Sequence, residues 1–596
     1  MKAFTIPIYL PDMFCYTKCK EKRREPVKKT IGIGYQDFKE IRMENIFYID
    51  KTHFIREWWE ASDKVTLITR PRRFGKTLNM SMLEKFFSVR YAGREDLFQG
   101  LAIWEDEKYR RLQGTYPVLF ISFADVKENS YLQTRKKICS IIKEIYNRYD
   151  FLLNGDMLNE SEKQTFQRIS ADMEDYEASG ALKALSNYLY RYYGKKVIIL
   201  LDEYDTPMQE AYINGFWNPL AAFTRAMFNS TLKTNPYLER AIMTGITRVS
   251  KESVFSDLNN LTVVTTTTDA YADCFGFTRQ EVWEALEEYG LSENKEKVKQ
   301  WYDGFIFGKQ REIYNPWSIT NYLKTQTLSS YWTNSSSNRL VGTLIREGSK
   351  NLKISFERLL QGESITTEMD EQIVYDQLNE EAAVWSLLLA SGYLKVEKFE
   401  AYMTNFGEWK QEYELKLTNF EVKVMFRNMV RKWFDNAASV YNDFIKALLE
   451  GNVKAMNTYM NKVAMTTFSY FDTGKNPSKE PERFYHGFVL GLMVELADRF
   501  VLTSNRESGF GRYDVMLEPR KQGDLGIILE FKVQDTDEEK ELTDTVKEAL
   551  KQIDKQQYEA ILVEKGVSKD KIRKYGFAFS GKNVLIGDDS RKRASS

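Results

Sequence analysis

The chain has 596 residues, with 85 Lys+Arg against 85 Asp+Glu, 43% hydrophobic and 29% charged residues. That length suits about four domains of ~150 residues, and the composition describes a folded globular chain rather than a disordered one. Equal opposite charge excludes the chain-wide basic excess of nonspecific nucleic-acid binders, although a local basic groove stays compatible with it. No apolar run reaches the roughly 18 residues a membrane span needs. The most apolar helix candidate, 487–502, is broken by Glu495, Asp498 and Arg499.

In chain order, residues 1–30 read as an extension with a charged run over 18–29, and the N-terminal apolar patch lacks the pattern of a signal peptide. From 31 to about 270, apolar runs at 65–69, 118–123, 197–201, 240–244 and 261–267 alternate with helical segments. This predicts an α/β domain with a mainly parallel sheet covered on both faces. The β-branched stretch 265–268 is expected to extend its strand. Residues 271–380 read as mostly helical. At 382–391 a helix stopped by Gly392 precedes two strand candidates, a winged-helix-like pattern, and helices follow from 421 to 464. The last region, 471–596, reads helix, strand, strand, helix, strand, strand.

Four cysteines, Cys15, Cys19, Cys139 and Cys274, form no disulfide framework and point to a cytoplasmic protein. Cys15 and Cys19 have no nearby histidine or further cysteine with which to hold zinc. The two histidines, His53 and His486, argue against histidine acid–base chemistry and His-rich metal sites. Carboxylates, lysines and oxygen-preferring cations are then expected to carry any reaction.

The first candidate site is the run Val65-Thr-Leu-Ile-Thr-Arg-Pro-Arg-Arg-Phe-Gly-Lys-Thr77. A strand, a tight turn and a Gly-Lys-Thr that opens a helix is the arrangement that grips nucleotide phosphates. The backbone of Arg72, Arg73, Phe74, Gly75, Lys76 and Thr77 would form the cradle. Lys76 would meet the β/γ oxygens and the Thr77 hydroxyl a Mg²⁺ ion. Arg70 replaces the usual first glycine. The matching acidic strand is Val197-Ile-Ile-Leu-Leu-Asp202-Glu203, with Asp202 for the metal and Glu203 for the attacking water. If the strand Ala241-Ile-Met-Thr244 lies between these two, Thr244 would sense the γ-phosphate, and Arg248 would neutralise charge or make a structural ion pair.

The second candidate is Gly509-Phe-Gly-Arg-Tyr-Asp514 followed by Gly526-Ile-Ile-Leu-Glu530-Phe-Lys532. Turn-forming residues lie between them. A hairpin centred on Gln522 sets Asp514 opposite Glu530, with Lys532 on the same face. Two carboxylates to hold Mg²⁺ and a lysine to position water or offset charge suit phosphodiester hydrolysis. The bland reading is a surface hairpin with a Glu–Lys pair. Glu482 on a preceding helix is a further candidate acid.

With both sets in place, the chain resembles a bacterial family that pairs an AAA-ATPase-like domain with a C-terminal PD-(D/E)XK nuclease-superfamily domain. The residues carrying the likeness include Tyr48-Ile-Asp-Lys-Thr52, Arg70-Pro-Arg-Arg-Phe-Gly-Lys-Thr77, Leu201-Asp-Glu-Tyr-Asp205 and Thr244-Gly-Ile-Thr-Arg-Val-Ser-Lys251. Tyr302-Asp-Gly304, Tyr314-Asn-Pro-Trp-Ser318, Gly392-Tyr-Leu394, Ser504-Asn-Arg-Glu-Ser-Gly509 and Glu530-Phe-Lys532 continue it. The likeness runs from about 31 to 586. It implies that Arg70 is normal for the loop, that the first site takes Mg²⁺ and ATP, and that the second is a restriction-endonuclease-like α/β fold. The expected divisions are 1–30, 31–270, 271–380, 381–470 and 471–596. The expected function is an ATP-binding, hydrolysing protein coupled to a Mg²⁺-dependent nuclease acting on nucleic acid, with DNA the expected form. The alternative is a non-catalytic ATP switch whose last domain only binds nucleic acid or a protein. Homo-oligomerisation is left open.

Overall fold

A computed structural model describes residues 28–247, 255, 258–334, 338–369, 378, 380–433, 438–471, 480–504, 513–535, 538–580 and 583–589. Five strands build the first sheet: β1 (Val65–Thr69), β2 (Val118–Ser122), β3 (Val197–Asp202), β4 (Leu238–Gly245) and β5 (Leu261–Val264). Their order is β2-β3-β4-β1-β5, with every neighbouring pair parallel. Alternation splits the side chains between two cores. Val65, Leu67, Ile199, Leu201, Ala241 and Met243 enter one cluster, while Ile68, Ile198, Leu200 and Ile242 enter the other. Burial on both faces explains why these runs are continuously apolar.

β5 is shorter than the sequence predicts. After Val264 the threonines turn: Thr268 N donates to Thr265 O at 3.3 Å, and Thr265 O also accepts from the Arg70 guanidinium at 2.6 Å. Local hydroxyls and a buried arginine therefore outcompete β propensity there.

The middle region begins with a small sheet of β6 (Phe277–Thr278), β7 (Asp303–Phe307) and β8 (Gln310–Tyr314), ordered β6-β8-β7. A capping box between Thr278 and Glu281 starts helix Arg279–Glu288. Helices Lys295–Tyr302, Pro316–Thr325, Arg339–Glu347 and Lys350–Gln361 follow. The expected helix and hairpin are present as helix Glu381–Ala390, β10 (Leu394–Met403) and β11 (Trp409–Leu417). β9 (Ile365–Glu368) adds a third antiparallel strand beside β11. Gly392 stops the helix at φ 84, a conformation that costs glycine little.

Helices Phe420–Lys432, Ala438–Glu450, Val453–Phe471 and Glu480–Leu496 lead into the last sheet. Its strands are β12 (Phe500–Ser504), β13 (Tyr513–Pro519), β14 (Gly526–Val533), β15 (Ile572–Ser580) and β16 (Asn583–Asp588), in sequence order. Only β14 and β15 are parallel, joined through helices Leu542–Lys555 and Tyr558–Glu564. β12 replaces the end of the expected 487–502 helix. The chain turns where Arg499 N meets Leu496 O, and Arg499 pairs with Asp524 at 2.9 Å. A single apolar cluster runs from Phe74 through Phe305, Trp385 and Phe426 to Phe488, Phe531 and Phe577. The middle region thus packs against the last sheet, and its Leu387 joins the core of the first sheet. Among the described residues, no helix is long and apolar enough to cross a membrane.

Candidate functional sites

The chain leaves β1 into the phosphate-loop turn and re-enters helix Lys76–Phe87 at Gly75, whose φ is 80. Lys76 is buried, and its Nζ donates to the carbonyls of Arg70 and Pro71, each at 2.9 Å. Burial lowers its pKa. Thr77 Oγ1 donates to Asp202 Oδ2 at 2.7 Å, and the Thr244 hydroxyl donates to Asp202 Oδ1. β4 does lie between β3 and β1, so the ends of β3 and β4 and the first turn of the loop helix place Asp202, Thr244 and Thr77 together. Burial raises the Asp202 pKa, against the opposing effect of the two hydroxyl bonds. A buried carboxylate touching the loop threonine fits a hard cation. Glu203 follows with φ 51, unusual for a residue with a side chain, and its N–H approaches Thr244 Oγ1 at 3.4 Å. Arg248 lies outside the described residues.

Arg70 is fully buried. Its guanidinium donates to Thr69, Thr265 and Ala270 carbonyls and lies 4.6 Å from the Phe307 ring centroid. Burial pushes its pKa down to about 10. It therefore braces the loop from behind. The Phe74 ring also points inward, 4.7 Å from that of Phe305. Arg73 lies 4.4 Å over Trp317, and Arg72 donates to Gln209 at 3.1 Å. A cleft open to solvent is lined here by residues including Arg72, Gln209, Thr247, Trp332, Asn338 and Tyr393.

Two further acids organise this end. Buried Asp205 accepts through Oδ2 from Ile246 N, Thr247 N and Thr247 Oγ1, each at 2.9 Å. It thereby holds the backbone that leads to Arg248. Glu421 is fully buried and accepts from Ser318 Oγ at 2.9 Å, Trp332 N at 2.6 Å and Thr333 N at 3.3 Å. Trp332 Nε1 in turn donates to Arg72 O at 3.0 Å. Burial pushes the Glu421 carboxyl up to about 7. The Leu-Asp-Glu-Tyr-Asp run contained a signal for Asp205; no local pattern marks Glu421.

At the other end, the register sets Asp514 opposite Glu530, as the turn-centred hairpin predicts. Glu530 is fully buried, and neither carboxylate oxygen has a hydrogen-bond partner among the described residues. An ionised carboxylate in that state is costly unless a cation or proton joins it. This donor set therefore fits a divalent metal. Glu530 faces away from the Phe531 side of the sheet, where Phe488 of helix Glu480–Leu496 packs 6.3 Å from the Phe531 centroid. Gly576 of β15 pairs with Glu530, and a Cβ there would meet Val546 O at 2.9 Å. Close approach of helix Leu542–Lys555 thus walls this face. Lys532 is half-buried two residues beyond. The side chains of Asp514 and Glu482 lie outside the described residues, as does the 505–512 lead-in.

Fold and sites define a P-loop ATPase-type domain joined through a helical region to a metal-nuclease-type sheet domain. Residues 32–255 match the model of a predicted AAA-ATPase family, and residues 480–589 match that of the PD-(D/E)XK nuclease superfamily. The chain therefore carries an AAA-ATPase-like domain and a C-terminal PD-(D/E)XK domain. It is also 23% identical over 489 residues to a protein of Azotobacter chroococcum mcd 1 described as an uncharacterized protein in the vnfD 5' region. That alignment covers 79% of this chain and 85% of the relative.

Proposed function

We propose that this protein is a cytoplasmic ATPase that governs a Mg²⁺-dependent nuclease acting on DNA. The observation that carries the reading is Glu530: a fully buried carboxylate whose two oxygens have no hydrogen-bond partner among the described residues, set by register opposite Asp514. Asp514 and Glu530 would hold the metal, which when bound polarises the scissile phosphate and acidifies a water. Lys532 would orient that water or offset charge on the phosphate. Glu482 would supply a further acid.

In the ATPase domain, the amides from Arg72 to Thr77 would cradle the phosphates, and Lys76 would exchange its loop carbonyls for β/γ oxygens. Thr77 and Asp202 would hold Mg²⁺, Glu203 would draw a proton from the attacking water, and Thr244 and Arg248 would report the γ-phosphate. A contiguous set of contacts supports coupling of the two ends. Arg72 bonds Trp332, Trp332 bonds Glu421, and Arg431 of the Glu421 helix pairs at 2.7 Å with Glu495 of the helix entering the nuclease sheet. Both ends of such a chain must bias one two-state element for ATP to act at Glu530.

The test is cleavage of single- and double-stranded DNA and RNA by the full chain with Mg²⁺, with and without ATP, beside Lys532→Ala. Mg²⁺-dependent cleavage of DNA that Lys532→Ala lacks is the expected result. DNA binding without cleavage would favour the non-catalytic switch, and equal cleavage by Lys532→Ala would remove the catalytic assignment.

A further inference from the structure

Away from both sites, helix His53–Ala61 presents His53 and Glu57 one turn apart. The segment after β5 brings Asp273 and Cys274 against them. One potential ligand atom from each of the four residues lies within 4.8 Å of all the others. His53 Nε2 is 3.6 Å from Asp273 Oδ1, and Cys274 Sγ is 3.5 Å from Glu57 Oε2. Nε2 of His53 is buried without a hydrogen-bond partner among the described residues. Cys274 is fully buried, His53 and Glu57 are half-buried, and Asp273 is exposed.

We propose that His53, Glu57, Asp273 and Cys274 form a structural site for a zinc-class transition metal. The donor set is one sulfur, one imidazole nitrogen and two carboxylate oxygens, which suits tetrahedral Zn²⁺ and not Mg²⁺. Zn–ligand distances of about 2.0–2.3 Å place tetrahedral ligand atoms roughly 3.3–3.8 Å apart. The four groups therefore need to close by only about an ångström. Metal binding would release the Cys274 proton, and the bound cation would stabilise the thiolate. Lys51, which reaches the same segment, is already committed to Asp273 O at 2.7 Å and to Glu281.

The position gives the site a purpose. Cys274 O accepts from Asn79 Nδ2 at 2.9 Å, and Asn79 lies on the helix that the phosphate loop opens. The metal would staple helix His53–Ala61 to the 270–276 segment and fix the base of the ATP-binding helix. A histidine that looks isolated in sequence then has a defined role.

Full-length protein is stripped with chelator, desalted, titrated with Co²⁺ and back-titrated with Zn²⁺. The expected result is one tetrahedral Co²⁺ with a thiolate charge-transfer band, bleached by Zn²⁺. Cys274→Ser should lack the band, and His53→Ala should bind at least about 10-fold more weakly. Zn²⁺ should raise the parent Tm more than that of either variant. Asp273→Asn, at an exposed position, gives a third variant in which folding is least disturbed, and it too should bind more weakly. Absence of the band in the parent, its survival in Cys274→Ser, or parent-like affinity in folded His53→Ala or Asp273→Asn overturns the site.

Discussion

Thr77 Oγ1 donates a 2.7 Å hydrogen bond to Asp202 Oδ2 across 125 residues of sequence. This bond joins the phosphate-loop helix to the acidic strand at the point where both would meet a nucleotide-bound cation. Thr77→Ala should weaken Mg²⁺-dependent ATP binding by roughly 10–100-fold, the worth of a charge-assisted bond. Titration with a fluorescent ATP analogue, with and without Mg²⁺, measures it; equal affinities for parent and variant would remove Thr77 from the site.

Asp205 should act through position rather than contact. Asp205→Ala leaves three donors of Ile246 and Thr247 without their acceptor. We expect a stability loss of about 2 kcal/mol or more, and kcat for ATP turnover falling more than KM rises. A steady-state ATPase assay on folded variant reads the split. A change confined to KM would place Asp205 in ground-state binding instead.

Glu530 predicts a trade between stability and chemistry. Glu530→Gln removes a buried charge that has no hydrogen-bond partner among the described residues, so metal-free stability should rise by about 1 kcal/mol. Cleavage should fall by about 10²-fold. Mg²⁺ should raise the Tm of the parent and not that of the variant, because only the parent gains from binding in the folded state. A metal-free variant less stable than the parent would contradict the burial argument.

Gly392 has φ 84, and a Cβ there would come 2.7 Å from Pro71 Cγ. Gly392→Ala should cost about 1–3 kcal/mol through backbone strain and overpacking. Because Pro71 belongs to the phosphate loop, ATP affinity should fall as well. Chemical denaturation and nucleotide titration of the same sample separate the two effects; unchanged affinity would uncouple the 392 turn from the loop.

Glu421 predicts a pH dependence. Its folded pKa of about 7 lies above its ordinary 4.5. Between those values the folded state holds a proton that the unfolded state has lost, so its contribution is present at low pH and falls as pH rises toward 7. The stability of the parent minus that of Glu421→Gln should therefore fall by about 3 kcal/mol from pH 4.5 to 8. Denaturation at both pH values checks this, and a difference that rises with pH reverses the sign.

The sequence alone determined the local devices of this protein. The apolar strand before Gly-Lys-Thr, the strand ending in Asp202-Glu203, and the turn that pairs Asp514 with Glu530 are all set by short-range periodicity and turn chemistry. Those rules operate within a few residues, so they place a motif on its element and no further. Tertiary structure decided what the elements meet. It turned Arg70 inward to close β5 early, put β4 between β3 and β1, buried Glu421 beneath Trp332, and buried the Glu530 carboxylate without a hydrogen-bond partner among the described residues. It also brought His53 to Cys274. Each of these depends on contacts between distant segments, whose energy comes from burial and long-range hydrogen bonds that no local pattern encodes.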